Sequence, residues 1–587
     1  MSIRPAAALL AAVVAVTGSA PAFAQLPSAA APPSPVSGRL ATVSPAGNYL
    51  AAHFATSERD NVAAATYYRA LVRIFPRNGA ILEPAFLTVL SEGSVDEAAD
   101  LAERIVKIAP DHRLARLVLG VQALRQKQYA TARRNLRVAG QGAVGNLAAA
   151  IMIGWSQFGS DNTKGAVDGI DSLQGPDWYA GFKDLHAGLI LDAAGQRKAA
   201  GRRLEEALKI DSRTLRVVDA YARWASRSGD KKLALATYES FDKVLPNNPL
   251  VEQSVATLES GGTLQPLVRT PAQGAAEILY GLGAELGRQG GEDLALIYLQ
   301  LARWLDPSHA LIDITLADLL ENMKKHDEAI AVLVQVPDSS PLKSAADIQR
   351  AMNLDAASRS DEAKAVLKAV IEKNPKDLRA ITALGDVQRS KQEYADAAAT
   401  YTRAIDQLQA PTAANWTLYY FRGTAYERTK EWAKSEADLK KALELKPDQP
   451  HVLNYLGYSW IDQGINLDDG MEMIRKAVTL RPDDGYFIDS LGWAYYRTGH
   501  YDDAVRELER AVELKPEESV INDHLGDAYW KVGRKLEAQF QWNHARDQNP
   551  EPDDLAKIQR KIAVGLDEAQ KASAEITPPA TGKPGGG

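Results

Sequence analysis

The chain has 587 residues, more than one compact core can absorb, so it must divide into domains or repeat a unit. A net charge of -7 argues against nucleic acid as the main partner, because phosphate binding asks for a basic surface. With no cysteine, the chain can form no disulfide, thiolate nucleophile or Cys-ligated zinc site, and no lipid can be attached to an N-terminal cysteine.

Residues 1–24 carry Arg4, a short apolar run from Ala6 to Val16, and Ala22-Phe23-Ala24 at the end. This layout predicts a secretory signal peptide cut before Gln25, and hence export to the periplasm. A retained helix lying on the membrane is the other reading, and peripheral association is compatible with both. Residues 25–44 are rich in Pro, Ser and Ala and are expected to form a disordered linker. No later stretch approaches the ~18 apolar residues that a spanning helix needs.

From Ala52 to Gly526 a small residue returns at a period of about 34, with one interruption. Thirteen of these fourteen positions are Gly or Ala, Phe86 being the exception, and twelve residues beyond them Ala stands in twelve of fourteen cases. Proline closes ten of the units. Apolar residues at helical spacing, such as Ala504, Leu508, Ala511 and Val512, predict pairs of amphipathic helices. Small residues on both helices let two backbones pack closely. One hairpin cannot bury its apolar stripe alone, and a stack can, so the fold class is all-α, an α-solenoid. Units near residues 144, 178 and 212 lack the proline, which blurs their boundaries.

The unit around Leu491-Gly492, Tyr495, Tyr501, Ala504, Ala511 and Pro516 resembles the tetratricopeptide repeat (TPR), with Ile488 where that pattern has Trp. The resemblance implies a right-handed superhelix of about fourteen hairpins. The expected order is a first array over 45–258, a break over 259–273, a second array over 274–552, a capping helix over 553–571 and a disordered tail over 572–587. The break, GGTLQPLVRTPAQ and its flanks, cannot be one helix. It reads as a hinge or as an extended arm that buries Leu264, Leu267 and Val268.

No H-E-x-x-H, Walker A or G-x-S-x-G motif occurs. GLGAELG at 281–287 has the wrong spacing for a nucleotide fingerprint and sits in a first helix, so it reads as packing. His524 and His544 read as ordinary packing or exposed residues. No catalytic residue, metal site or cofactor is expected, and the chain reads as a non-enzyme.

TPR geometry implies that positions 2, 5, 9, 12 and 13 of each first helix, counted with the small residue as position 8, line a concave groove. In the last three repeats this selects Asn454, Tyr458 and Asp462; Tyr486, Asp489, Trp493, Tyr496 and Arg497; and Asp523, Asp527, Trp530 and Lys531. Tyr495 falls to the core. A polar ladder beside an aromatic stripe suits a bound peptide or helix. Packing between neighbouring first helices is the competing role for Trp493. Asp489 and Asp523 disfavour a C-terminal carboxylate as ligand.

Asn454–Ser459, Asp489–Trp493 and Asp523–Asp527 further resemble bacterial envelope TPR scaffolds related to adaptors of carboxyl-terminal processing proteases. That resemblance implies envelope-protein partners, among them a periplasmic protease and its substrates. A component of polysaccharide-export or outer-membrane assembly machinery is the alternative.

Overall fold

The computed structural model describes residues 44–569. The signal-peptide segment, the linker up to residue 43 and the tail lie outside these residues. Among the described residues there are thirty α-helices, α1 (Pro45–Ser57) to α30 (Pro552–Val564), and no strand. Helices α1 to α12 (Lys231–Asp242) make six helix pairs, α13 (Pro249–Glu259) stands alone, eight further pairs run from α14 (Pro271–Arg288) to α29 (Lys535–Asp547), and α30 follows.

Two regularities build each pair. Seven residues after every small position the backbone takes a left-handed φ, from Arg59 (57°) through Gly93 (97°) to Gly533 (84°). Seven of these fourteen turn residues are Gly and the rest include Lys127, Asp161 and Gln392, so the strain of a side chain there is tolerated where the turn is otherwise well held. Sixteen residues after the small position comes a large one that fills its space. A Cβ on Gly120 would lie 2.8 Å from Leu136, on Gly492 2.5 Å from Leu508, and on Gly526 2.5 Å from Trp542. Phe86 inverts the rule: it is fully buried, and its partner position carries Ala102. The one-residue insertion near Asn466 is absorbed in the same way, because Gly470 then faces Gly457, with a Cβ-to-carbonyl space of only 2.8 Å.

Where the closing proline is missing, other caps replace it. Helix α10 (Arg197–Ile210) ends on Asp211, whose Oδ1 accepts from the backbone N–H groups of Arg213 (3.0 Å) and Thr214 (3.1 Å). Elsewhere the proline and a cap act together: after Pro482, helix α26 (Gly485–Arg497) starts on Asp484, which accepts from Tyr486 N at 3.1 Å.

The chain divides into two compact units, residues 44–366 and 367–569, with the division inside α19 (Ser360–Lys373). Residues 259–273 lie within the first unit. There the segment after α13 is a packed arm: Leu264 and Val268 are buried and Leu267 is partly so. Leu264 N–H donates to Ser226 Oγ at 3.1 Å, and Arg223 and Arg227 donate to the carbonyls of Gln265 (3.2 Å) and Leu264 (3.4 Å).

Beyond the arm, α14 and α15 (Glu292–Leu305) turn back onto the first array. Helix α14 packs on α5 (Arg113–Arg125), α7 (Gly142–Phe158) and α9 (Tyr179–Ala193), and α15 packs on α3 (Gly79–Ser91) and α5. These are the first helices of hairpins two to five. Gly274 meets the Trp155 ring so closely that a Cβ would come within 2.0 Å. Trp304 donates to Asp96 at 3.1 Å beneath the Arg125 guanidinium, which stands 4.0 Å above its ring, and Arg59 pairs with Glu292 at 2.8 Å. The inner face of the first array is thus filled by the chain's own helices.

Candidate protein-binding face

All twelve residues that the repeat register selects lie in the second unit, on α24 (Pro450–Gln463), α26 and α28 (Ser519–Lys531). These three first helices are side-by-side neighbours. Their inner residues sort into those that stitch the seams between helices and those that keep an open edge.

The acids stitch. Asp489 Oδ1 lies 2.9 Å from His524 Nδ1, one period on. Asp523 and Asp527 both accept from Lys561 Nζ of α30, at 2.7 and 2.8 Å, and Asp527 also accepts from Trp542 Nε1 at 2.9 Å. Asp462 holds Arg497 at 2.7 Å, and Tyr486 donates to Glu518. Trp530 and Lys531 donate to Asp567 at 2.9 and 3.0 Å. The acid positions therefore already have donors from within the chain, rather than standing as free acceptors for an incoming main chain.

The aromatics divide. Tyr496, placed in the groove by the register, is instead buried (8% exposed), against Trp493 and Tyr501. Tyr495, placed in the core, keeps a partly exposed edge with Arg475 5.6 Å over its ring. Trp493 stacks flat on Tyr496, at 4.8 Å and 12°, drawing it under the indole, while Tyr495 packs on the core on both sides as expected. Asp489 and Asp527 are also buried, at 7% and 3% exposure. Trp493 stacks on its other side with the His524 ring at 4.1 Å, so it fills the seam between α26 and α28 while remaining partly exposed. Asn454, Tyr458, Tyr486, Asp523, Trp530 and Lys531 are also partly exposed, and Asp462 and Arg497 lie more open to solvent.

The electrostatics follow from this crowding. Burial works against a charged His524, but the carboxylates of Asp489, Asp523 and Asp527 outweigh it and raise its pKa. Asp527 is pushed up to about 6, first by burial and then by its like-charged neighbour Asp523, against the pull of Lys561. Burial, then the carboxylates of Asp489 and Asp462, raise the Tyr458 hydroxyl.

Two buried atoms on this face have no hydrogen-bond partner, the side-chain carbonyl of Asn454 and the indole N–H of Trp493. Sequence reasoning missed His524, Glu518, Lys561 and Asp567 as parts of the face. Each lies about one period beyond the residue it meets, and pairing the groove positions with residues 32 to 38 further on would have shown them.

One tetratricopeptide-repeat family model matches residues 86–142, 348–414 and 383–450, and a second matches residues 487–518. No curated protein matches the chain. Among solved structures, the APC/C hetero-tetramer Cut9-Hcn1 is similar over 89% of this chain and 97% of that one, at 13% identity and TM-score 0.37. Yeast Tom70 is similar over 91% and 97%, at 12% identity and TM-score 0.33. MamA covers 28% of this chain and 95% of its own, at 20% identity and TM-score 0.26. Residues 86–142, 348–450 and 487–518 are thus tetratricopeptide repeats, within described residues whose fold is an α-solenoid of helix pairs.

Proposed function

We propose that the chain is a non-enzymatic protein-interaction scaffold of the bacterial envelope. Its partner segment lies along the inner face of α24 and α26. The observation that carries this reading is the pair of orphaned atoms beside exposed aromatic edges: the Asn454 carbonyl and the Trp493 N–H, flanked by Tyr458 and Trp493. A buried polar atom without a partner costs ~1–3 kcal/mol, so a bound segment that lets the two side chains turn toward it gains by satisfying them. Tyr and Trp are also the side chains that most often anchor a bound protein. In the first array the corresponding face is filled by α14 and α15, which directs partners to the second unit. Export to the periplasm is part of the proposal and rests on the composition of residues 1–24.

The test is crosslinking and affinity capture from the native envelope, comparing wild type with a Tyr458→Ala, Trp493→Phe double variant. Tyr496 is left intact because it is core. Circular dichroism verifies that the variant folds. A partner held by wild type and lost by the folded variant supports the reading. Equal capture by both overturns it. Capture of a membrane channel in place of a protease would move the chain to export or assembly machinery.

A further inference from the structure

Helix α30 begins 33 residues after α28 begins, in the place that another hairpin's first helix would take. Its hold on the inner face joins charge to apolar packing, with Ile558 and, just past Gly565, Leu566 buried in one core with Trp542. Lys561 Nζ reaches both carboxylate oxygens of Asp523, at 2.9 and 2.7 Å, and Asp527 at 2.8 Å. Past Gly565, Asp567 receives Trp530 Nε1 and Lys531 Nζ. Within α30 only Ile558 is buried, Ile562 is partly so, and Val564 is exposed. The seam before it, between α26 and α28, is filled by Trp493 stacked on His524. The α30 seam is filled by Trp530, whose ring a Cβ on Gly565 would approach to 2.5 Å.

The charges make this face selective. A lysine ammonium withdrawn from water is tolerated only where opposite charge surrounds it, and the Lys561 side chain is 13% exposed between two acids. Without a cation, Asp523 and the nearly buried Asp527 would face each other as like charges. The face therefore calls for one cation carried on a helix, with apolar residues three before it and one after it, as Ile558 and Ile562 are placed.

We propose that the inner face of α28 is a docking site for a lysine-bearing amphipathic helix, and that α30 is its resident occupant, which a partner helix of the same chemistry displaces. This rests on the reading of the second unit as a protein-binding scaffold. Only a few residues join α29 to α30, so α30 competes at an effective concentration on the order of millimolar and masks the site until it leaves.

The test uses the full chain and a labelled synthetic peptide of residues 552–569 as the probe. In Lys561→Glu, amides of α30 should exchange at least ~10-fold faster while those of α26 to α29 stay protected. Fluorescence anisotropy should show the peptide binding Lys561→Glu at least ~10-fold more tightly than wild type, the size of change that a 1.4 kcal/mol difference gives. Adding Asp523→Lys to Lys561→Glu reverses both charges and should return α30 to protection. Equal or absent peptide binding by both chains overturns the proposal. So does loss of protection in α28 and α29 together with α30, which would make α30 an inseparable part of the stack. The probe is the chain's own helix, so failure here is distinct from failure to capture an envelope partner.

Discussion

Asp489 and His524 meet 2.9 Å apart across the α26–α28 seam, directly beneath the indole of Trp493, which stacks on the His524 ring at 4.1 Å. One contact joins charge to packing: the carboxylate orients the imidazole, and the imidazole supports the indole. The pKa of His524 is raised in the folded chain, so its contribution to stability is complete below the unfolded value of about 6.5 and is lost as pH rises through the folded value. Hydrogen exchange of α26 and α28 should therefore be slower at pH 6 than at pH 8.5 after correction for intrinsic rates. In His524→Gln that difference should shrink. An unchanged difference in the variant would show that the seam does not depend on the imidazolium.

Phe86 and Ala102 test the rule of complementary sizes. Phe86 is wholly buried where thirteen other repeats carry Gly or Ala, and Ala102 is wholly buried where Leu, Ile, Tyr or Trp otherwise stands. Phe86→Ala should cost ~3–5 kcal/mol through the cavity it opens. Ala102→Leu should cost ~1–3 kcal/mol through overpacking. The double change restores the ordinary small–large order, so it should be less destabilising than the two single costs added. Urea unfolding of all four chains closes the cycle, and strict additivity would mean that the two side chains do not share one space.

The hairpin was legible because its causes are local and repeat. Gly492, Ala504 and Pro516 each do one job at one place, and the period multiplies the signal. The return of α14 onto α7 was not legible. Gly274, Gly281 and Gly283 carry the same small-residue signature whether the helix stacks on the preceding hairpin or folds back over several. That choice is made by long-range pairs such as Trp155 with Gly274, which no 34-residue register records. On the candidate face, the residue types at Asp489, Trp493 and Asp523 were legible as a polar and aromatic stripe. Their partners were not, because each lies on the next first helix. The burial of Tyr496 came from a stack between neighbours on one helix, which a position template ignores.

Gly526 and Gly533 separate close approach from backbone freedom. A Cβ on Gly526 would come within 2.5 Å of the Trp542 ring, which is fully buried and tied to Asp527 by its N–H. It has no free rotamer into which to retreat. Gly533 has φ +84° and nothing within 4 Å of a Cβ. Gly526→Ala should cost ~1–3 kcal/mol or more, and Gly533→Ala only the ~1–2 kcal/mol of left-handed strain. Gly533→Asn should cost less than Gly533→Ala, since Asn accepts that conformation and already does so at Asn466 (φ 45°). Thermal melts of the three variants should rank in that order.

Arg216 and Glu277 bind α14 to α11 (Leu215–Arg227) through two parallel hydrogen bonds, Nε to Oε1 at 2.8 Å and Nη2 to Oε2, with both side chains withdrawn from solvent. Burial works against the Glu277 carboxylate, but Arg216 outweighs it, aided by His309 at 3.7 Å, and holds its pKa well below the ordinary range. The pair's contribution is therefore complete above the unfolded carboxylate value of about 4.3 and is lost only as pH falls below it toward the folded value. Arg216→Met leaves a buried charge without its main partner and should cost ~3–5 kcal/mol. Adding Glu277→Met removes the orphan and should recover most of that loss. Hydrogen exchange of α14 is the decisive readout, because this pair fastens α14 over the first array. Arg216→Met should expose α14 amides before those of α5 and α7. If the double variant stays as exposed as the single, geometry rather than the uncompensated charge holds α14 in place.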